Sequence, residues 1–574
     1  MRPVDPVWPN APRADSFGPI VLLLVLVLPW IHLAAHAQLG PGLAAAGLRA
    51  LDFLSGPDER FSDVRAVPPL PKWLQAVALT LHVTDKPLAL AAPGALFGVL
   101  SAVMLYLLGR VWYSPAVGVL AALLLICNRT LLEQIRIGAP GPVVLFFTLF
   151  SLWPFAEHLR RQDDVFSRWT LLGAVALAGL FLTAPHYALS MALLGLGAML
   201  FRGGDEDDPR IVRIRHALFD PTTRAGVVTF LLGLAIATPW LVRAPWTFGP
   251  WFPWQQPDHL GPPIGWRNAV TMAPALVVLA SWGWLRSLHR LAREGSTSGR
   301  EALPVLWAAL AAAAFVFVDP GAPGLLVLTA PMILLAACIV LDVAHRRVDD
   351  RQVLWLAAAV CIFVIWFGGV ARRPGETRGD WRPEWRDAAA NTVATLATLL
   401  VLTLLYRWSR DSDGRRRTLL GGFIIAVVIV ACAPGLMSLG SKPRSEDPWR
   451  QVQVRLTHLI GAERPDVILF LDGDGRKVRG SHSQGAVLEF LVRTLAPRQE
   501  PQFVAGPEEI ESRLAGYERP LVIAAQTGPR LPKIYSIAHG TRVMTLAERL
   551  DIDLGGDREA ERVTVYSPLA APTP

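Results

Sequence analysis

The most concentrated group of charged side chains in the N-terminal part of the chain lies between residues 56 and 73, in GPDERFSDVRAVPPLPKW. Asp58 and Glu59 are adjacent acids, and a positioned carboxylate can accept a proton during catalysis. Arg60, Asp63 and Arg65 follow them directly after a long apolar segment. Because a solvated connector needs no such density of charge, the cluster indicates an active site at a membrane surface. The alternative is that both acids begin a helix, where the helix dipole favours negative charge.

The composition places this cluster in an integral membrane protein. The chain has 574 residues, of which 52% are hydrophobic and 18% charged, and its mean hydropathy is +0.38. A chain with this composition is too apolar to be a soluble domain of this length. The net charge of +8 is mostly Arg and is scattered between the apolar segments, so it is an orientation signal rather than a nucleic-acid-binding surface.

The apolar segments are long and rich in Leu, Ala and Val rather than alternating, which predicts membrane-spanning helices. A span needs roughly 20 apolar residues to cross the hydrocarbon layer. This criterion predicts about 13 transmembrane helices. They lie at 18–38, 88–109, 114–131, 140–156, 168–184, 187–201, 224–242, 268–286, 302–318, 321–344, 353–370, 387–406 and 417–438.

Arg-rich loops alternate with links such as TAPH and VDPGAP that contain no Lys or Arg. The positive-inside rule therefore predicts a multi-pass protein of the cell (inner) membrane with a cytoplasmic N-terminus. The Asp58 loop and the C-terminal tail are then extracytoplasmic. One basic loop, with Arg372, Arg373 and Arg382, is also assigned outside, where Arg can bind an anionic lipid headgroup or a phosphate. Alternatively, residues 1–37 are a signal peptide cleaved near HLAAHAQ.

From about residue 441 the composition becomes that of a soluble domain. DVILFLD, RPLVIAAQ and ERVTVYS have the pattern of strands, whereas QGAVLEFLVRTLA and PEEIESRLAGY have helical spacing. This order predicts a small C-terminal α/β domain. The predicted organisation is thus a mainly α transmembrane domain over 1–440 and an extracytoplasmic α/β domain over 441–574.

The motifs on the predicted outer face carry a family resemblance. The acidic pair, VPPLPKWLQA and a helix ending in LYLLGR resemble the polyprenyl-phosphate-dependent membrane glycosyltransferases of the C-type (GT-C) fold. Within that fold they are most similar to family 39, which contains the protein mannosyltransferases, and to the lipid A aminoarabinose transferases. Similar segments follow in order along nearly the whole chain, including ICNRTLLEQIRIGAPGP, PDHLGPPIGW and VDPGAPGLLVL.

This resemblance implies the GT-C fold and inverting transfer of a sugar from a polyprenyl-phosphate-linked donor. The implied acceptor is a lipid, glycan or protein hydroxyl on the extracytoplasmic face. Membrane lipids are expected as further partners, and nucleic acid is not. Asp58 falls on the family's catalytic Asp, with Glu59 beside it. Cations stabilise the leaving phosphate in such a reaction, and a divalent metal ion is left open as a cofactor.

Candidate substrate-binding residues are the polar side chains near the outer loops. They are Lys72, Arg136, His186, Arg243, His259, Arg372, Arg373 and Arg382. Two of them have simpler alternatives: Arg136 could form an ion pair with Glu133 one turn earlier, and His259 could be a solvated loop residue. Nearby tryptophans could stack on a sugar or form an interfacial aromatic belt; they are Trp246, Trp251 and Trp254.

Three positions depart from the family pattern. Val67 stands where the family has Lys before Pro-Pro, although Lys72 is nearby and could reach a phosphate. Gly141 stands at the second acidic position, and His186 is the only polar side chain in place of Lys-Gly-Pro. These departures leave a second hypothesis open, a catalytically degenerate relative that binds a lipid-linked sugar or a partner without turnover. A transporter ranks third, because the sequence has few charges within its spans and no internal repeat.

Overall fold

The computed structural model describes a helical bundle and a C-terminal domain. The described residues are 18–36, 41–55, 69–81, 86–161, 167–200, 221–243, 274–294, 302–317, 322–345, 348, 350–368, 393, 396, 448–472, 484–496, 502–504, 517, 519–526, 536–539, 542–552 and 561–568.

The bundle consists of helices joined by short connections. In chain order they are α1 (Gly18–His36), α2 (Pro41–Ser55), α3 (Pro69–Leu81), α4 (Lys86–Trp112), α5 (Pro115–Ile126), α6 (Arg129–Arg136), α7 (Gly141–Arg161), α8 (Arg168–Phe181), α9 (Pro185–Leu200), α10 (Pro221–Arg243), α11 (Pro274–Glu294), α12 (Ala302–Phe317), α13 (Ala322–Ala344) and α14 (Asp350–Gly368).

Local sequence explains where many of these helices begin. Proline occupies the first position of α3, α5, α9 and α10, where its missing N–H costs nothing and its fixed φ suits the helix. Ser114 and Asn128 cap α5 and α6, since their side-chain oxygens accept hydrogen bonds from Val117 N at 3.3 Å and Leu131 N at 3.2 Å.

The predicted spans coincide with helices, except that 387–406 and 417–438 lie almost entirely outside the described residues. The predicted span 114–131 is not one straight helix: α5 and α6 meet at an angle of 49°, since α5 ends at Ile126 with Cys127 as its C-cap and Asn128 caps the start of α6. In the described part of the chain, only Lys86–Trp112 and Pro323–Ala344 are long and apolar enough to cross a membrane alone, with the bent pair as a third. The fold is mainly α, and the number of about 13 spans is not confirmed.

Large apolar side chains on the bundle surface are consistent with a lipid environment. Leu23, Leu171 and Leu193, on three different helices, each expose about 60% of their surface. The interior is close-packed around residues such as Leu105, Leu125 and Trp307.

Two helices that the sequence analysis did not predict, α2 and α3, pack together and against the start of α4. They precede and follow the acidic cluster at residues 58–65. Both are too short and too polar for the span criterion. Both helices lie at one end of the bundle.

The C-terminal domain is an α/β unit with a mixed sheet. Its elements are α15 (Pro448–Glu463), β1 (Val467–Asp472), α16 (Gln484–Leu495), β2 (Gln502–Val504), β3 (Pro520–Gln526), β4 (Ser536–His539), β5 (Arg542–Ile552) and β6 (Glu561–Pro568). The strand order is β2-β1-β3-β6-β5-β4. β1 pairs in parallel with β2 and β3, whereas β6 is antiparallel to β3 and β5. The predicted helix PEEIESRLAGY lies outside the described residues apart from Tyr517.

The C-terminal domain packs onto the bundle through α2. One hydrophobic cluster joins Leu43 and Ala50 of α2 and Leu90 of α4 to Phe490 of α16 and Ile468 of β1. Gly47 is buried at the centre of this contact, where an added Cβ would overlap the ring of Phe490 and lie 2.8 Å from Leu90 Cδ1. The C-terminal domain therefore lies at the same end of the bundle as α2 and α3.

We expect Gly47→Val to weaken this contact, because overpacking a filled interface costs about 1–3 kcal/mol. The variant should melt at a lower temperature and release the C-terminal domain to a protease at lower protease concentration. Gly461→Val, in α15, is the matched control, since an added Cβ there meets nothing within 4 Å. Equal melting and proteolysis of both variants would show that the contact contributes nothing.

Candidate functional site

Helix α3 lies across one end of the bundle and connects two of its interhelical junctions. The backbone N–H of Leu70 donates to Leu182 O at 3.2 Å, at the end of α8. The side-chain Nε2 of Gln75 donates to Gly138 O at 3.0 Å, between α6 and α7. The α6–α7 and α8–α9 connections, both predicted on the outer face, therefore lie together beneath one helix.

Lys72 is in the first turn of α3 and is only 8% exposed. Its Nζ lies 6.0 Å from the ring centroid of Phe53, which is in the last turn of α2 and five residues before Asp58 in the sequence. A buried ammonium at an aromatic face is held by the ring quadrupole. The structure thus places the cation beside the point where the chain enters the acidic cluster; Asp58, Glu59 and Val67 themselves lie outside the described residues.

The α6–α7 junction depends on Gly138, whose φ of +61° lies in the left-handed region. A Cβ at this position would overlap Leu43 Cδ1 of α2 and lie 3.3 Å from Leu90 O of α4. The junction is therefore in close contact with α2 and α4 as well as with Gln75 of α3. This packing fixes the end of α6, where Arg136 lies.

We expect Gly138→Ala to destabilise this end of the bundle, since a side chain is strained at positive φ and must also displace Leu43. Each effect costs on the order of 1 kcal/mol or more. The melting temperature of purified protein should fall. Gly226→Ala, where an added Cβ meets nothing within 4 Å, should not lower it. Unchanged melting of Gly138→Ala would contradict the assigned packing.

Arg136 is the last residue of α6 and is half-buried. The alternative ion pair with Glu133 is wrong: Glu133 Oε1 pairs instead with Arg129 Nε at 2.6 Å, one turn in the other direction. Arg136 forms no ion pair or hydrogen bond with its side chain within the part of the chain that the structure describes. A helix C-terminus favours a cation, and the guanidinium remains available to bind a phosphate.

Gln134 is a polar residue at this end that sequence reasoning missed. It is 5% exposed, and its Oε1 is buried without a hydrogen-bond partner among the described residues. A Cβ added at Gly141 would lie 2.7 Å from that oxygen, so the amide of Gln134 fills the space in front of Gly141. An unsatisfied buried acceptor costs about 1–3 kcal/mol, which makes Gln134 a candidate ligand contact. The sequence offers only a weak signal, a glutamine on the apolar side of a short helix.

His186 is the second residue of α9, and its ring centroid lies 4.4 Å from that of Tyr187. Both ring nitrogens are buried and have no hydrogen-bond partner among the residues that the structure describes. Because burying an unpaired charge is costly, this position favours a neutral imidazole. His186 is therefore suited to a hydrogen bond with a ligand rather than to supplying positive charge.

Of the other predicted site residues, the structure describes only Arg243. Arg243 is the last residue of α10, which runs parallel to α8 because Gly173 lies against Thr229 and Gly233 against Leu177. Arg243 therefore lies towards the same end as the α8–α9 junction. The remaining candidates lie outside the described residues: His259, Arg372, Arg373, Arg382, Trp246, Trp251 and Trp254.

Among described residues, no three His, Cys, Asp or Glu side chains converge on a position that could hold a metal ion.

Lys72, Arg136 and His186 thus lie around α3 at one end of the bundle, with Gln134 beside Gly141. The family model of the dolichyl-phosphate-mannose-protein mannosyltransferases matches residues 66–208, which contain all four. No curated protein matches the chain in a sequence comparison.

Two solved structures show the fold. The crystal structure of ArnT from Cupriavidus metallidurans bound to undecaprenyl phosphate matches with a TM-score of 0.57 and 15% identity, over 97% of this chain and 99% of that chain. The apo structure of the same protein matches with a TM-score of 0.53 and 15% identity, over 97% and 98%. The predicted resemblance to the GT-C membrane glycosyltransferases is confirmed, by the family model over residues 66–208 and by the fold over nearly the whole chain.

Proposed function

We propose that this protein is a membrane glycosyltransferase that transfers a sugar from a polyprenyl-phosphate donor to a hydroxyl group of a lipid, glycan or protein acceptor. The observation that carries the proposal is the grouping of Lys72, Arg136 and His186 around α3. This group adjoins the end of α2, three residues before Asp58. It also lies within the stretch that matches the mannosyltransferase family model.

In the proposed reaction, Asp58 accepts the proton of the acceptor hydroxyl, and Glu59 lies beside it. The hydroxyl oxygen attacks the anomeric carbon from the face opposite the phosphate and forms the new glycosidic bond. The bond between that carbon and the phosphate oxygen breaks, and its electron pair leaves with the polyprenyl phosphate. The configuration at the anomeric carbon is inverted. A positioned base contributes about 10²–10⁴-fold to such a step.

The cations stabilise the charge that develops on the leaving phosphate. Lys72 substitutes for the family lysine that is absent at Val67, and its burial strengthens its interaction with an anion. Arg136 can bind phosphate oxygens in a bidentate way, which Lys cannot. Further phosphate or sugar contacts are proposed for a set of residues nearer the other loops. They are Arg243, His259, Arg372, Arg373 and Arg382.

The proposed location is the cell (inner) membrane, with the N-terminus cytoplasmic and this site extracytoplasmic. The packing of the C-terminal domain on α2 supports one part of this arrangement, since the tail and the candidate site are then on the same side. The side itself follows from the distribution of Arg between the loops.

A second candidate function is favoured by Gln134. Gly141 stands where the family has its second acid, so this position has no carboxylate. The amide of Gln134 occupies the space in front of Gly141. Under this alternative the protein binds a lipid-linked sugar or a partner without turnover, and the missing acid is the reason that transfer is lost.

A deletion strain distinguishes the two functions. For a transferase, mass spectrometry should find that the strain loses one glycan modification and accumulates the corresponding polyprenyl-phosphate sugar. A plasmid copy should restore the modification, whereas the Asp58→Asn copy should not. Complementation by Asp58→Asn as efficient as by the wild type would favour binding without turnover.

A further inference from the structure

A cavity of about 310 Å³ lies between α7, α8, α9 and α10. The residues that line it lie in the C-terminal part of α7, the first half of α8, the second half of α9 and the first half of α10. They include Phe155, Trp169, Met191 and Phe230. These are the ends of the helices opposite to α3. The cavity is therefore separate from the candidate active site, and the identity of its occupant does not depend on the proposed function.

Two hydroxyl groups of the cavity wall are directed back into their own helices, and the wall also includes the imidazole of His158 and the indole of Trp169. Thr229 Oγ1 donates to Ala225 O at 2.7 Å, and Ser151 Oγ donates to Thr148 O at 2.8 Å. The remaining surface is mostly aromatic, aliphatic or glycine. One water molecule occupies about 30 Å³ in the liquid and needs two to four polar partners. The cavity has room for several waters but few partners for them, so a hydrocarbon chain suits it better.

Two exposed arginines lie at the end of this cavity. Arg168 and Arg224 are exposed near the starts of α8 and α10, and each is followed by a cavity-lining residue, Trp169 and Ala225. Gly173 of α8 lies against Thr229 of α10, and each arginine precedes its helix's contact residue by five positions. Because the two helices are parallel, both arginines lie at the same level. The guanidinium Cζ of Arg168 lies 4.8 Å from the Trp169 ring.

One described acid of α7 is near this end of the helix but is buried. Glu157, on α7, is 7% exposed and interacts with other residues of the protein. An apolar cavity with two exposed guanidinium groups at one end matches an amphiphile with an anionic head and a hydrocarbon tail, because Arg binds phosphate oxygens through several N–H groups.

We propose that this cavity binds one acyl chain of an anionic glycerophospholipid, whose phosphate lies between Arg168 and Arg224. The Arg-rich loops at this end are predicted to be cytoplasmic, so the lipid belongs to the leaflet opposite the candidate active site. It fills the space between four helices and would hold them together as a structural lipid.

The test uses the full-length protein in nanodiscs made from equal amounts of phosphatidylglycerol and phosphatidylcholine, followed by native mass spectrometry of the lipids retained after detergent transfer. Wild-type protein should retain phosphatidylglycerol in preference to phosphatidylcholine. Arg168→Gln with Arg224→Gln should reduce that preference by roughly tenfold or more, since a hydrogen bond to a charged group contributes about 1.5–3 kcal/mol.

A second variant tests the cavity itself. Gly226 lines the cavity and an added Cβ there meets nothing within 4 Å, so Gly226→Leu should fold normally, fill the space and reduce retention of both lipids. Arg110→Gln, which removes an exposed arginine near the end of α4, and Gly461→Leu are the matched controls and should behave like wild type.

Melting temperature and gel-filtration profile establish that each variant is folded. Retention of phosphatidylglycerol that is equal in the wild type, the double arginine variant and Gly226→Leu would overturn the proposal. So would retention of a polyprenyl phosphate instead of the phospholipid, because the cavity would then hold a different lipid.

Discussion

Replacement of Asp58 with Asn and Glu59 with Gln together should reduce sugar transfer by about 10²–10⁴-fold, because neither member of the acidic pair can then accept the proton of the acceptor hydroxyl. Both changes keep the size of the side chain and remove only its charge. Initial rates with a labelled polyprenyl-phosphate sugar in nanodiscs give the measurement. Donor binding, measured separately, should change much less than the rate.

The control for this pair is Asp63→Asn, which removes an acid from the same charged cluster and should retain most of the activity. The single variants assign the roles: Asp58→Asn should reproduce nearly the whole effect of the double variant, and Glu59→Gln only part of it. Full transfer activity in the double variant would eliminate Asp58 as the base. The same result would favour the alternative that these acids only begin a helix.

Lys72→Met should reduce kcat/KM by about 10²–10³-fold, the usual cost of losing one group that stabilises developing negative charge. Methionine retains an unbranched apolar side chain, so the loss is that of the ammonium group near Phe53. Lys72→Arg, which keeps the charge with a different geometry, should recover part of the rate. The rates are compared under the same conditions as for Asp58, with the melting temperature of each variant.

Lys86→Met is the matched control for Lys72. Lys86 begins α4 at the same end of the bundle, is part-buried, and its Nζ lies 3.4 Å from Leu79 O. Its loss should leave kcat/KM within a few-fold of wild type. A Lys72→Met variant that is as active as Lys86→Met would show that Lys72 is a structural residue and that the phosphate is bound elsewhere.

Most of the bundle could be predicted from the sequence, because long apolar segments leave few alternatives to a helix in lipid. The same criterion missed α2 and α3, which are short and lie across the end of the bundle. Pro41 and Pro69 at their first positions are the only local signals of where they begin. In the C-terminal domain, the apolar strands β1, β3 and β6 were predictable, whereas the more polar β4 and β5 were not.

The residue types of the candidate site could be predicted from the sequence, but the side-chain contacts of those residues could not. The spacing of Glu133 and Arg136 permits an ion pair, yet Arg129 is equally well placed on the helix and takes that carboxylate. Gln134 could not be recognised because its significance depends on the space in front of Gly141, which only the packing of α6 against α7 defines. The proximity of Lys72 to Phe53 likewise depends on the unpredicted pairing of α2 with α3.

Turnover by the purified protein is the most direct measurement of the proposed transfer from a polyprenyl-phosphate sugar. Full-length protein in nanodiscs is incubated with the polyprenyl-phosphate sugar that accumulates in the deletion strain and with an extract that contains the acceptor. Wild-type protein should release free polyprenyl phosphate and form one glycosylated product for each molecule released, whereas Asp58→Asn should form almost none. Folded wild-type protein that binds the donor but releases no polyprenyl phosphate would contradict the proposed glycosyltransferase activity.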